Sequence, residues 1–195
     1  MGVRDTGSEQ LIKDTAKRIF FTEGRLNATT QDIADAAGVA RTVINYYFRS
    51  KDILLEQVFN EAMVDMGNRI DEIVSAEAPF KKKLERFIDL FYAEFTNYPY
   101  KESFMIGEIN SNEFEVKEKE RSPALQNFLK EVQQEMDQGN IKKMKPVNFM
   151  LNLFSLMAYP ILTRPLFKKV FELSNPQYEK LMNDRKKMII EILLN

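Results

Sequence analysis

Thr29-Thr-Gln-Asp-Ile-Ala-Asp-Ala-Ala-Gly-Val-Ala-Arg-Thr-Val-Ile-Asn-Tyr-Tyr-Phe-Arg-Ser-Lys51 is the stretch that decides how the rest of the chain is read. Thr30 is placed to cap a short helix whose apolar positions are Ile33, Ala34 and Ala37, and Gly38 stands where that helix must stop and turn. A second short helix, from about Ala40, turns Val43, Ile44 and Tyr47 inward and leaves polar and basic side chains outside. Two short helices joined by a tight turn with one glycine form the pattern of a DNA-reading helix-turn-helix.

Outward from this stretch the helical spacing continues in both directions. Toward the N-terminus, Ser8 is a candidate N-cap, Leu11, Ile12, Ala16, Ile19 and Phe20 recur at helical intervals, and Gly24 ends the segment. Lys13 and Lys17 fall on its outer face and Arg4 precedes it, positions suited either to a DNA phosphate or to plain solvation. Toward the C-terminus, Ser50 caps a long helix to about Val74. That helix is too long to serve the head alone, so it can carry movement from a second region into the first.

Pro79 opens a helix over 80–98 that Pro99 closes, and Phe104 to Ile109 is a shorter apolar piece. Asn110 to Pro123 is charge-dense and reads as a loop with a helical turn, and 124–138 is an amphipathic helix stopped by Gly139. Pro146 begins the most apolar helix, Val147 to about Tyr159. Pro160 and Pro165 bend or end the helical run beyond it, and Asn175-Pro176 starts the last helix. No alternating run supports a sheet and no repeat emerges. The fold class is therefore all-α, in about nine helices. It divides into a head over 1–52 that carries the helix-turn-helix and a helical body over 53–195.

Composition narrows the function. At 195 residues and 44% apolar the chain can bury a substantial core, and a net charge of −1 confines any DNA contact to a local surface. Residues 1 to 52 carry eight Lys/Arg against seven Asp/Glu, a weak excess of the required sign. Cysteine and histidine are both absent. That removes disulfides, thiolate nucleophiles, zinc fingers and the commonest general base, and fits a cytoplasmic setting. No catalytic residue, metal site or cofactor is expected. The longest apolar run, Phe149 to Leu162, is broken by Asn152, Ser155 and Pro160, so no membrane partner is expected either. The bare myristoylation pattern over residues 1–6 and the glycosylation pattern Asn27-Ala-Thr29 are chance matches.

Taken together, Ile12, Ala16, Ile19-Phe20, Gly24, Thr29-Thr30, Ile33-Ala34, Ala37-Gly38-Val39, Tyr47-Phe48, Ser50-Lys51 and Leu54-Leu55 give residues 8–56 a spacing that resembles the tetracycline-repressor (TetR) family of bacterial regulators. Beyond them only length and helix count agree. The resemblance implies a homodimer whose N-terminal head reads an inverted repeat in double-stranded DNA. Its body would bind an effector and pair through residues 146–194. Where the family usually has glycine, threonine, leucine and tyrosine, this chain reads Thr42, Val43, Ile44 and Asn45, so no operator sequence carries over.

By the family pattern Thr30, Tyr47 and Lys51 are phosphate contacts. The base-edge candidates are Arg41, Thr42, Asn45 and Tyr46, with Gln31 reaching from the helix before. In the body, Phe87, Phe91, Phe95, Phe104, Met105, Phe128, Met150 and Phe154 form a Phe/Met stripe. Such a stripe is ordinary core material. Its excess of methionine beside aromatics also suits a cavity for a small apolar or aromatic effector, oriented by Glu94, Tyr98, Glu108 or Asn110. The functional expectation is a ligand-responsive repressor. The alternative is an architectural or cell-division factor of the same fold that recruits a protein and has no effector. An enzyme is set aside because no carboxylate pair, phosphate-cradling glycine loop or metal spacing is visible.

Overall fold

The computed structural model describes residues 6–111 and 123–194; Arg4, the 1–6 pattern and most of the 110–123 segment lie outside them. Ten α-helices are present among the described residues: α1 Thr6–Lys17, α2 Thr30–Ala37, α3 Arg41–Phe48, α4 Lys51–Ser75, α5 Phe80–Asn97, α6 Lys101–Ser111, α7 Pro123–Asp137, α8 Pro146–Leu162, α9 Arg164–Val170 and α10 Asn175–Leu193. Ser8, expected as a cap, lies inside α1. The chain divides into two compact units. The first takes the described residues up to Met66 together with those from Asn97 to the end of α6, and the second takes the remainder.

The first unit is the head, and it extends past the residue-52 boundary because α6 folds into it. After α1 a single wide π turn, Arg18–Thr22, brings Ile19, Phe20 and Phe21 all inward, which an α-helical turn does not do with three consecutive residues. Phe104 of α6 stacks on Phe20 at 5.4 Å between ring centroids and meets Phe21 at 5.2 Å. The Tyr100 N–H donates to the Phe21 carbonyl at 2.9 Å. Gly24 has φ +68°, and a Cβ there would stand 2.7 Å from the Tyr100 ring, so both backbone and packing require glycine.

In the second unit, Pro160 sits inside α8 instead of ending it. Proline has no N–H to donate to the Leu156 carbonyl one turn back. Arg185 of α10 supplies the missing donor, Nη2 to Leu156 O at 3.0 Å, and the Tyr178 hydroxyl, also on α10, donates to Pro160 O. Two carbonyls one turn apart on α8 are thus satisfied by two side chains seven residues apart on α10. Beyond Leu162 the chain bends by 66° into α9, the helix that the sequence spacing does not separate from its neighbour. Among the described residues no single helix is long and apolar enough to cross a membrane.

Candidate nucleic-acid interface

The helix-turn-helix is fixed locally by caps. Thr29, not the adjacent Thr30, is the N-cap of α2. Its hydroxyl oxygen accepts the Asp32 N–H at 3.2 Å, and the Asp32 carboxylate accepts the Thr29 N–H at 2.7 Å. Asp32, three residues after Thr29, is what selects it over its neighbour. The Thr29 hydroxyl and amide, with Arg25 alongside, hold the Asp32 carboxyl below its ordinary value. Gly38 then ends α2 at φ +68°. Ile44 and Phe48 of α3 are buried in the head core with Ile12, Ile19, Ile33 and Leu54. That anchorage decides which side of α3 is left free.

The free side carries Arg41, Thr42, Asn45 and Tyr46, all exposed, with Tyr46 at 69%. Their one-turn spacing puts them on a single face. Tyr47 is half-buried and meets the Tyr46 ring edge-on at 5.1 Å, and Thr30 and Lys51, each the first residue of its helix, are half-buried as well. Gln31 is exposed but donates to the Asp35 carboxylate at 2.7 Å, so reaching a base would cost it that bond.

The charges of the head sort into two groups. Lys13 and Lys17 both close on Glu61 of α4 at 2.7 Å. Arg18 pairs with Glu23, and Arg25 pairs with Glu23 and with Asp32 at 3.0 Å. Among the described cations before Met66, only Arg41, Arg49 and Lys51 form no side-chain ion pair or hydrogen bond. All three stand at the ends of α3 or on the first residue of α4. The two lysines open to a phosphate role by sequence are occupied within the head.

Burial alone would raise the Glu61 carboxyl, but the bonds from Lys13 and Lys17 outweigh it and leave it below its ordinary 4.5. A depressed carboxyl stabilises the fold above that value and loses its effect as pH falls through the folded-state value. Glu61→Gln is therefore expected to lower head stability at neutral pH by about 0.2–1 kcal/mol per pair, the range of solvent-screened ion pairs. The deficit relative to wild type should shrink below about pH 4.5. Urea titrations of both proteins across pH check this, and a deficit that stays constant with pH would contradict it.

The expected effector stripe is not one cluster. Phe104 and Met105 belong to the head core, and Tyr98, Glu108 and Asn110 lie in the head unit too. Phe87, Phe91, Phe95, Phe128 and Met150 are packed into the core of the body. Phe154 is 39% exposed, edge-on to Phe87 at 5.7 Å. It lines an open groove of about 590 Å³ with Leu156, Tyr159, Phe167 and Arg185. Glu94 is buried and paired with Arg69.

Residues 12–58 match the family model for bacterial regulatory proteins of the tetR family. The head is a TetR-family head. Its match spans the helix-turn-helix and ends inside α4. Over 87 residues, 45% of this chain, the sequence is 26% identical to the HTH-type transcriptional repressor KstR2 of Rhodococcus jostii. Over 92 residues, 47% of the chain, it is 27% identical to the HTH-type transcriptional regulator EthR of Mycolicibacterium smegmatis. The chain spans less than half the length of these curated relatives, 43% and 42%. The fold extends the likeness to the whole chain. A TetR family transcription regulator from Marinobacter aquaeolei superposes with a TM-score of 0.67 at 18% identity, covering 98% of each chain. The TetR family transcriptional regulator PfmR from Thermus thermophilus gives 0.63 at 17%, covering 97% of this chain and 96% of its own. The TetR-type architecture is thus shared well beyond the matched head.

Proposed function

We propose that this chain is a cytoplasmic transcriptional repressor that binds an inverted repeat in duplex DNA as a homodimer. The observation that carries the reading is the charge sorting around α3. The only unengaged cations of the described head before Met66 bracket a helix whose outer face is Arg41, Thr42, Asn45 and Tyr46. A helix of 8 residues is about 12 Å long, and B-DNA's major groove is wide enough to admit it. In this reading Arg41 grips guanine O6 and N7, Asn45 pairs with adenine, and Thr42 or Tyr46 touches a thymine methyl. Thr30, Tyr47 and Lys51 set register on phosphates, Lys51 with the help of the α4 backbone amides.

Dimerisation is supported by apolar side chains that the body leaves uncovered on α8 and α10. Val147 and Leu151 are exposed on the first, and Leu181, Met188 and Ile192 on the second. A second copy would cover this surface about a two-fold axis. The two heads would then meet half-sites about 34 Å apart, one turn of the duplex.

Selection of bound duplexes from a random pool, with sedimentation of the free protein, tests the whole reading. Enrichment of no inverted repeat would end it. On the selected operator, Arg41→Ala is expected to cost about 1–3 kcal/mol and to relax selectivity at one base pair. Lys51→Ala should weaken every duplex alike and flatten the salt dependence by about one unit. An Arg41→Ala loss spread evenly over all sequences would contradict the base contact.

For the body, the Phe and Met content and the open groove on α8, α9 and α10 support a small apolar or aromatic effector. The close packing of Phe87, Phe91, Phe95 and Phe128 instead favours the second reading, a DNA-bound architectural or cell-division factor that recruits a protein. Screening apolar and aromatic compounds for release of the operator separates them. An effector acts only through a different affinity for two arrangements of the heads, and α4, with residues in both units, is the element that would transmit it.

A further inference from the structure

We propose that Arg49 is a contact to the DNA sugar-phosphate backbone, and that an arginine stands at this positive-φ position, where glycine would be unstrained, because of the charge it places there. The proposal rests on the reading of α3 as the DNA-reading helix. Arg49 closes α3 at φ 61° and ψ −41°. An L side chain is disfavoured in that region, and glycine is the usual residue at a helix end that needs it. This chain follows that rule at Gly24, Gly38 and Gly139, with φ of 68°, 68° and 83°. Among the described residues only Arg49 and Glu172 depart from it.

The position itself is rigidly set. Phe48, immediately before, is fully buried, and the Arg49 N–H donates to Asn45 O at 3.0 Å. Ser50, immediately after, accepts the Ile53 N–H on its hydroxyl at 3.3 Å and so caps α4. Backbone geometry therefore cannot relax without losing the Phe48 anchor. The Ser50 N–H also donates to Phe48 O at 2.6 Å across Arg49, so the backbone holds this turn whatever the side chain, and the arginine side chain adds nothing to it: its guanidinium is exposed and makes no ion pair or hydrogen bond. The neighbouring cations Lys13, Lys17, Arg18 and Arg25 all do. Arg49 lies four residues beyond Asn45 and three beyond Tyr46, so it extends the exposed face of α3, with Lys51 two residues further. A strained, unpaired arginine at the end of the reading face is placed to receive a phosphate oxygen and carries no base specificity.

The test uses the full chain as wild type, Arg49→Gly and Arg49→Lys, with thermal unfolding and duplex binding measured across salt. Arg49→Gly should raise the unfolding temperature by a few degrees while weakening selected and random duplexes alike, about tenfold. Its slope of log affinity against log salt should be shallower by about one. Arg49→Lys should keep the wild-type slope. Wild-type slope and affinity in Arg49→Gly would overturn this proposal alone, and so would a joint fall in stability and affinity, which marks a structural role. Wild-type protein that binds no duplex would overturn the DNA-binding reading itself.

Discussion

Phe20→Ala is expected to destabilise the head by about 3–5 kcal/mol, the cost of emptying a fully buried aromatic site. Phe20 is 0% exposed and sits on the π turn between α1 and the helix-turn-helix, stacked on Phe104. Its removal takes a ring from the core and deprives α6 of the surface on which it is seated. The wide π turn has no neighbouring side chain able to swing in, because Ile19 and Phe21 are already buried. Typical domain stability is about 5–15 kcal/mol, so the variant should hold its head folded only marginally. Hydrogen exchange provides the measurement: amides of α2, α3 and α6 should lose protection together. Retention of α6 protection while α2 and α3 open would show that α6 is not part of the head. Tyr46→Ala, on the exposed face, serves as the contrast and should stay within about 0.5 kcal/mol of wild type.

The second large effect is expected from Leu151→Glu combined with Ile192→Glu. Both residues are exposed in the single chain, at 59% and 57%, so neither substitution should disturb its fold by more than a few tenths of a kcal/mol. In the proposed homodimer each would bury a carboxylate without a partner, a penalty of several kcal/mol per charge. The expected result is a folded monomer by sedimentation. A monomer loses the effective concentration that one bound head confers on the other, so affinity for an inverted repeat should fall by about 10²–10⁴ while a single half-site is bound as before. A double variant that still sediments as a dimer would place the interface elsewhere.

These outcomes depend on features of unequal legibility in the sequence. The helix-turn-helix can be read because its signals are local. Gly38 marks the one left-handed turn, and Ile33, Ile44 and Phe48 fall at helical intervals. The N-cap is displaced by one residue from its expected place because two threonines adjoin, and only the distance to Asp32 distinguishes them. The π turn leaves no signal, since Ile19-Phe20-Phe21 reads as a helical run in which one residue is simply surplus. Helix α9 escapes the spacing for a related reason. Two prolines announce a break, but whether Pro160 ends α8 depends on Arg185 and Tyr178, donors from another helix.

The effector stripe has the same lesson at larger scale. Phe104 and Phe128 look alike as helical aromatic positions, yet one packs in the head and the other in the body. Helical periodicity states that a side chain is turned inward and is silent on which core receives it. Lys13 and Lys17 likewise look available in the sequence, where nothing marks Glu61, 44 to 48 residues away, as the partner of both.

The sequence by itself determined the all-helical class, the position of the reading head and the exposed set Arg41, Thr42, Asn45 and Tyr46. These depend on caps, turns and periodicities that act over a few residues. Only the tertiary structure decided which cations are already neutralised, which core claims each aromatic, and that an arginine closes α3 at positive φ. Each of those depends on groups brought together from distant parts of the chain, and a linear pattern does not record which distant residue arrives.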